Sequence, residues 1–418
     1  MLDIRFIREN PDLVQKKTKE KGYDISISGF IDALDRRLPL VQKRDELRNK
    51  KNTNAFVEIT GENLKVELSP EQRAEGKNIK DQLKKYEEEL KSLNKIIDTT
   101  YGLIPNIFPD DTPLGGEENN KEEKTWGKAE AKDVKDHLTW GEERGLIDFE
   151  RGAKVAGNKF YYLKGPLVEL ELAVFQLGLE LAKKHGFTPM IVPNLVNTRI
   201  LEGAGFSAKG EEKQIYKVEG EDLNLIATAE IPLTGYHADE ILAEKDLPLL
   251  YVGLSPAYRV EGGAYGKHNK GLFRTHQFNK LELYVFCKPE DSEKWHKKLV
   301  DLEEELCQAL EIPYRIVRIA AGDLGAPAYK KYDVEYWSPI DKTYRELMSC
   351  SNVTDYQARR LNIRYKTEAG NEFVHTLNGT LAAMSRIPIA LIENHQSADG
   401  NVAIPKTLQP YMHGQTAI

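Results

Sequence analysis

The chain has 418 residues, 40% of them hydrophobic and 30% charged, enough for two or three domains and a sizeable core. No run of about 18 apolar residues occurs, which excludes a spanning helix, and the opening MLDIRFIRENPDL mixes charge into its apolar stretch and lacks the core of a secretory signal. Three cysteines without CxxC spacing argue against a disulfide scaffold or Cys-rich zinc site and fit a reducing cytoplasm, while a net charge of −7 means that any nucleic-acid contact must be local.

The first segment reads as a helix, with Asn10 as cap, Pro11 in the first turn and Gly22 as terminator. Phe30, Leu34, Leu38 and Val41 then recur at helical spacing. Between Arg36 and Lys51, Arg36, Arg37, Lys43, Arg44, Arg48, Lys50 and Lys51 stand against only Asp45 and Glu46. Such a cluster is a solvated helix face or a handle for phosphates. Ser69-Pro70-Glu71 starts a further helix, whose Ile79, Leu83, Tyr86, Leu90, Leu93 and Ile97 alternate gaps of four and three, a coiled-coil seam. Two such segments joined by 52–68 predict an antiparallel helical hairpin, each arm of about 30 residues and about 45 Å. The partial alternation of apolar residues within 52–68 suggests a small hairpin at the tip.

Residues 1–105 thus form one domain. Residues 106–125, rich in Pro, Gly, Asn and acid, read as a linker. From 126 to 418 the pattern changes. Helical stretches Leu167–His185 and Ser292–Leu310 alternate with strand-like runs Leu249–Leu254, Leu281–Cys287 and Tyr314–Ile319. This mixture predicts an α+β domain on an antiparallel sheet.

Three segments of this domain carry chemistry. In AYRVEGGAYGKHNKGLFRTHQFNKLELYVF (257–286), a hairpin puts Arg274, His276, Phe278, Lys280 and Glu282 on one face of a strand. Cations, an aromatic ring and a carboxylate on one face suit a ligand with phosphates, a flat base and an ammonium group, although a solvated sheet face has the same composition. In TYRELMSCSN (343–352), Glu346 and Ser349 form a hard-cation pair if phosphates complete the ligand set. In LNGTLAAMSR (377–386), small residues allow close backbone approach, Thr380 offers a hydroxyl, and Arg386 suits a terminal phosphate. Each has a bland reading on its own: surface acid, turn serine, surface arginine.

Taken together and in this order, Arg259, Glu261, Arg274, Phe278, Glu282, Glu346, Ser349, Thr380 and Arg386 resemble motifs 2 and 3 of class II aminoacyl-tRNA synthetases. TAEIPLTGYH (228–237), RTHQFNKLEL, TYRELMSCSNVTDYQARR and LNGTLAAMSRIPIALIENHQ narrow the resemblance to the seryl-tRNA synthetase family, bacterial type. GFTPMIVPNLV (186–196) resembles motif 1, with Pro193 as its proline. The helical hairpin extends the resemblance over essentially the whole chain.

The resemblance implies a class II catalytic domain with a coiled-coil arm, and an enzyme that joins serine to ATP and passes the seryl group to the 3′ end of serine tRNA. Arg259 is then expected at the α-phosphate and serine carboxylate, Glu261 at the adenine amino group, Phe278 stacked on the base and Arg386 at the γ-phosphate. Val260, Arg274, Thr275, Leu347 and Met348 complete the expected ATP contacts. Glu346 and Ser349 are expected to hold Mg²⁺, with no zinc. Thr228, Ala229 and Glu230 are expected around the serine amino group, and Glu282 and Thr380 at its hydroxyl. His276 is read as a sheet-packing residue rather than a general base. The cationic cluster Arg36–Lys51 is expected to meet the long variable arm of the tRNA. The resemblance also implies a homodimer through motif 1, a cytoplasmic location and no membrane partner. Rivals are another class II ligase and a synthetase-like RNA-binding or regulatory protein without activity. HIGH, KMSKS and GxxxxGK[ST] are all absent, which argues against class I and P-loop chemistry.

Overall fold

The two segments with coiled-coil spacing form long helices. In this computed structural model, which describes residues 1–56, 69–206, 215–261 and 271–418, the N-terminal part contains α1 (Ile4–Glu9), α2 (Pro11–Glu20), α3 (Ile27–Phe56) and α4 (Pro70–Leu103). Ser69 caps α4 through a reciprocal box: its hydroxyl accepts from the Gln72 N–H at 3.1 Å, and the Gln72 side chain accepts from the Ser69 N–H at 2.9 Å. The seam Ile79, Leu83, Leu90, Leu93 and Ile97 is buried. Phe30 stacks on Tyr101, Arg37 donates to Asn94, and Arg48 meets Glu87, so α3 and α4 run antiparallel. The helix expected between Asn10 and Gly22 is α2, with Pro11 at its start, but Asn10 makes no side-chain cap and its amide instead donates back to Phe6 O, and a short helix, α1, precedes it. The expected tip hairpin lies outside the described residues.

By their contacts, residues Leu2–Pro105 and Asn106–Ile418 separate into two units. The stretch 106–125, read from composition as a linker, belongs to the second unit. The Asn106 amide donates to Pro327 O, Val353 O and the Thr354 hydroxyl at 2.9–3.0 Å. Phe108 packs with Val317, Ile319 and Leu324, and β1 (Lys121–Trp126) pairs with the main sheet. Composition misleads here because β1 is an edge strand whose residues are all exposed, so polar residues cost it nothing.

The second unit is built on an eight-stranded sheet. Its further strands are β2 (Thr188–Ile191), β3 (Leu249–Tyr258), β4 (Gln277–Cys287), β5 (Tyr314–Arg318), β6 (Lys330–Ser338), β7 (Thr343–Thr354) and β8 (His375–Ala383). Their order is β1-β5-β6-β7-β8-β4-β3-β2, and every pairing is antiparallel except β2 with β3. Helices α5 (His137–Glu143), α6 (Pro166–Lys184), α7 (Glu230–Gly235), α8 (Ser292–Ala309) and α9 (Ile387–His395) accompany it. One large core joins α6, α8 and α9 to β4, β7 and β8 through Leu170, Leu281, Leu299, Leu302, Met348, Leu381 and Leu391. With one face so covered, the residues that alternate with the core on β4, β7 and β8 are turned to the other face.

Candidate active site

On that other face lies a cavity of about 740 Å³. It is lined by Arg259, Glu261, Arg274, Thr275, Phe278, Glu346, Leu347, Met348, Ser349, Thr380 and Arg386, all singled out from sequence. Three separate segments therefore converge on one space. Residues 262–270 lie outside the described residues.

A regular strand would not bring Glu346 and Ser349 to the same side, since residues three apart face opposite ways. The pairing of β6 with β7 solves this. Val334 opposes Met348 but Glu335 opposes Glu346, so Leu347 is an extra residue and the phase of the strand resets. A second bulge does the same on β8: Thr380 opposes Glu282 while Ala382 opposes Leu281, and both Thr380 and Ala383 reach the cavity.

The charges are tightly coupled. Arg386 donates to Glu346 at 2.9 Å, and the Glu346 side chain keeps 40% of its exposure. Burial alone would raise the Glu346 carboxyl, but Arg386 and Lys331 reverse this and hold it at about 2. Arg386 is likewise disfavoured by burial and more than compensated by Glu346, so its pKa is raised. Arg259 is pushed down by burial and by the like charge of Arg386. Its guanidinium lies 5.2 Å from the Phe278 ring centre, and its Nε donates to Ala227 O at 3.4 Å. Two guanidinium groups that repel each other in one cavity favour an anion between them. Arg274 reaches Glu261 at 3.3 Å, and Glu261 itself has φ 46°, a left-handed backbone that a side chain adopts at a cost of order 1–3 kcal/mol.

The strand alternation foreseen for 274–282 holds only from Gln277 onward. Residues Gly271–Phe273 form a short 3-10 turn, and β4 begins at Gln277. Phe278 and Lys280 reach the cavity and Arg274 arrives there from the turn. His276 is not among the lining residues; its ring nitrogen lies 2.9 Å from Arg259 O and 3.0 Å from the Tyr216 hydroxyl.

Lys280 had no role assigned from sequence, yet it joins the cavity to the residues behind it. Its ammonium contacts Glu282, and it donates to the Thr228 hydroxyl at 3.2 Å. Glu282 is 1% exposed. The period-two spacing of Phe278, Lys280 and Glu282 was the available signal. Glu230 is buried as well, at 9% exposure. Its Oε1 accepts from Gln357 at 2.8 Å and Asn378 at 3.0 Å, and burial together with the Glu282 charge pushes its carboxyl up to about 7. Val260, Thr228, Ala229, Glu230 and Glu282 do not line the cavity surface. Phe273 and Ser385, also missed from sequence, do.

For a metal, the residues present supply few donors: among the described residues no group of three or more His, Cys, Asp or Glu could hold one. Glu346 and Ser349 open on the same cavity, and one Glu346 oxygen is engaged by Arg386. A hard-cation site of Mg²⁺ type, completed by phosphates and water, fits such a pair; a closed zinc site does not.

An antiparallel sheet with a nucleotide-sized pocket of two arginines, a ring and a carboxylate–hydroxyl pair defines a class II synthetase body. Residues 215–395 match the family model described as the tRNA synthetase class II core domain (G, H, P, S and T), and residues 1–108 match the seryl-tRNA synthetase N-terminal domain. The chain is 45% identical to a serine–tRNA ligase of Treponema denticola, covering 98% of both chains, and 44% identical to that of Dictyoglomus turgidum, covering 99% and 98%. A solved seryl-tRNA synthetase from Pyrococcus horikoshii, complexed with ATP, is 42% identical with a TM-score of 0.89, over 100% of this chain and 99% of that one. A cytoplasmic serine–tRNA ligase from Naegleria fowleri, in complex with AMP, is 32% identical with a TM-score of 0.84, over 100% and 98%. The chain belongs to the seryl-tRNA synthetase family.

Proposed function

We propose that the protein is an ATP-dependent serine–tRNA ligase and that the 740 Å³ cavity is its active site. The observation that carries this reading is the convergence of Arg259, Phe278, Glu346 and Arg386 on one space from three segments of the chain. Serine's carboxylate attacks the α-phosphate of ATP and pyrophosphate leaves. The 3′-terminal hydroxyl of the tRNA then attacks the acyl carbon and AMP leaves. Little proton transfer is needed in the first step, so positioning and charge stabilisation supply most of the acceleration.

In this reading Arg259 holds the α-phosphate and the serine carboxylate, and it meets the charge that grows at phosphorus. Phe278 stacks on the adenine, Glu261 accepts from its amino group, and Arg386 holds the γ-phosphate. Val260, Arg274, Thr275, Leu347 and Met348 shape the nucleotide pocket. Glu346 and Ser349 would hold Mg²⁺, which would neutralise phosphate charge when bound. Glu282 and Thr380, direct cross-strand neighbours, meet the serine hydroxyl. Thr228, Ala229 and Glu230 serve the amino group, with Thr228 and Glu282 both tethered to Lys280. A site that hydrogen-bonds the hydroxyl rejects alanine strongly, because its own polar groups are otherwise left unpaired.

Arg36, Arg37, Lys43, Arg44, Arg48, Lys50 and Lys51 supply the electrostatic handle for the long variable arm of serine tRNA. The protein works as a homodimer through motif 1 around Pro193. The support is an apolar, exposed sheet edge: Ile191 on the terminal strand β2 is 89% exposed, with Leu172 at 56% and Val168 at 41% nearby in sequence on α6. Ile191→Asp is expected to yield monomers at micromolar concentration by sedimentation; an intact dimer moves the interface elsewhere. No helix among the described residues is long and apolar enough to cross a membrane, and the buried free thiols Cys287, Cys307 and Cys350 accord with the cytoplasm.

The deciding experiment is ATP–pyrophosphate exchange with each of the twenty amino acids, followed by charging of total tRNA. Serine alone is expected to drive exchange. Glu282→Ala is expected to lower serine-dependent kcat/KM by about 10²-fold or more. Exchange driven by another amino acid, or none, refutes the reading.

A further inference from the structure

One buried histidine lies outside every motif that carries the site. His137, at the start of α5, is 7% exposed. The backbone N–H of Leu272 donates to its Nε2 at 3.2 Å, and its Nδ1 lies 3.1 Å from Glu393 Oε1. An N–H aimed at Nε2 requires a lone pair there, so the hydrogen-bond pattern assigns the proton to Nδ1, which donates to Glu393. Glu393 is 4% exposed, and its other oxygen accepts from the Ser338 hydroxyl at 3.2 Å. The approach of chain to imidazole is close: at Gly271, which has φ +65°, an added Cβ would fall 2.3 Å from His137 Nε2. Glycine is what permits it.

Both partners of His137 lead to the active site. Leu272 precedes Phe273, whose ring lines the cavity and lies 5.0 Å from the Arg386 guanidinium and 5.5 Å from that of Arg345. Glu393 belongs to α9, and the N-cap of α9 is Arg386. His137 therefore ties the ring beneath Arg386 to the helix that Arg386 caps.

We propose that His137, braced by Glu393, is a positioning residue for ATP: it fixes the turn that presents Phe273 and thereby sets Arg386. The proposal rests on the assignment of Arg386 to the terminal phosphate. Losing His137 leaves the Leu272 N–H buried and unpaired, and the turn shifts to find another partner. The nucleotide end of the site then loosens, while the Glu282–Lys280–Thr228 end, on other elements, is untouched.

The test measures serine-dependent ATP–pyrophosphate exchange on the full chain, with KM for ATP and for serine determined separately and the active fraction titrated. For His137→Phe the KM for ATP is expected to rise about 10-fold, with the KM for serine changed less than about 2-fold. His137→Gln, whose side-chain oxygen can still accept from Leu272, is expected to recover most of the ATP affinity, and Glu393→Gln to lose about 3-fold. An unchanged KM for ATP in a folded His137→Phe overturns the proposal. So does a lowered melting temperature or active fraction with both KM values unchanged, or an equal rise in both. If His137→Phe fails to fold, the two Gln variants decide by the same split. A wild-type chain inactive with all amino acids refutes the functional reading and this proposal with it, whereas wild-type activity with indifferent variants refutes this proposal alone.

Discussion

The arm and the catalytic body both carry many charges, but they hold them in opposite ways. On the arm, Arg36 and Arg48 meet Glu89 and Glu87 at 4.0 and 2.8 Å, with their side chains 68% and 50% exposed. Such pairs are worth under about 1 kcal/mol and can be given up for phosphates. In the cavity, Arg259, Arg386 and Glu346 are coupled at close range and shift one another's proton affinity. An exposed cation contributes a share of a field; a buried one has a position that nothing else can take.

Removing one buried cation is therefore expected to have the largest effect. Arg259→Ala should lower serine-dependent exchange by about 10³-fold or more, since the loss of one preorganised donor costs about 10²–10³ and here a full charge goes with it. Steady-state exchange with active-site titration measures this. A loss under 10-fold would detach Arg259 from the reacting phosphate.

Neutralising several exposed cations should do less. Lys43, Lys50 and Lys51 are all exposed on α3. Changing the three together to Gln should lower tRNA charging about 10-fold at moderate salt and flatten its salt dependence by up to three charges' worth, with exchange unchanged. If charging is unaffected, the arm grips RNA without this cluster; if exchange falls too, the two regions are not separable in the way proposed.

The same contrast explains what the sequence disclosed. The seam of α4 and the strands of the sheet follow periods of 3.5 and 2, which burial imposes along a single element. Eleven of the cavity residues were recognisable because their motifs are dense. What escaped depends on contacts between distant elements. The bulges at Leu347 and Leu381 exist only against neighbouring strands. Lys280 had the right spacing beside Glu282, but its contact with Thr228 comes from 52 residues away. His137 and Leu272 are 135 residues apart. Composition also erred once in the other direction, by making the exposed edge strand β1 look like a linker.

The smallest effect expected on activity comes from a buried carboxyl that the chemistry does not use. Glu303 on α8 is fully buried, and neither carboxylate oxygen has a hydrogen-bond partner among the described residues. It occupies space left by the missing side chain of Gly379, where an added Cβ would lie 3.1 Å from its Oε1. Burial first, then the negative charges of Asp333 and Glu282, raises its pKa well above the ordinary glutamate value. A carboxyl raised on folding stabilises the protein fully below its unfolded pKa of about 4.3. That stability is lost as pH rises toward the folded value, by up to about 1.4 kcal/mol per pH unit. Glu303→Gln cannot ionise, so it should match the wild type near pH 4 and gain on it steadily from about pH 5 to pH 8, with exchange activity preserved. Glu230 and Asp333, both pushed up to about 7, titrate in both proteins, so the difference between two melting-temperature curves reports Glu303 together with its coupling to Asp333. Parallel curves across that range would mean that the buried carboxyl finds a compensating partner, and a loss of exchange would mean that the charge behind the sheet reaches the chemistry in front of it.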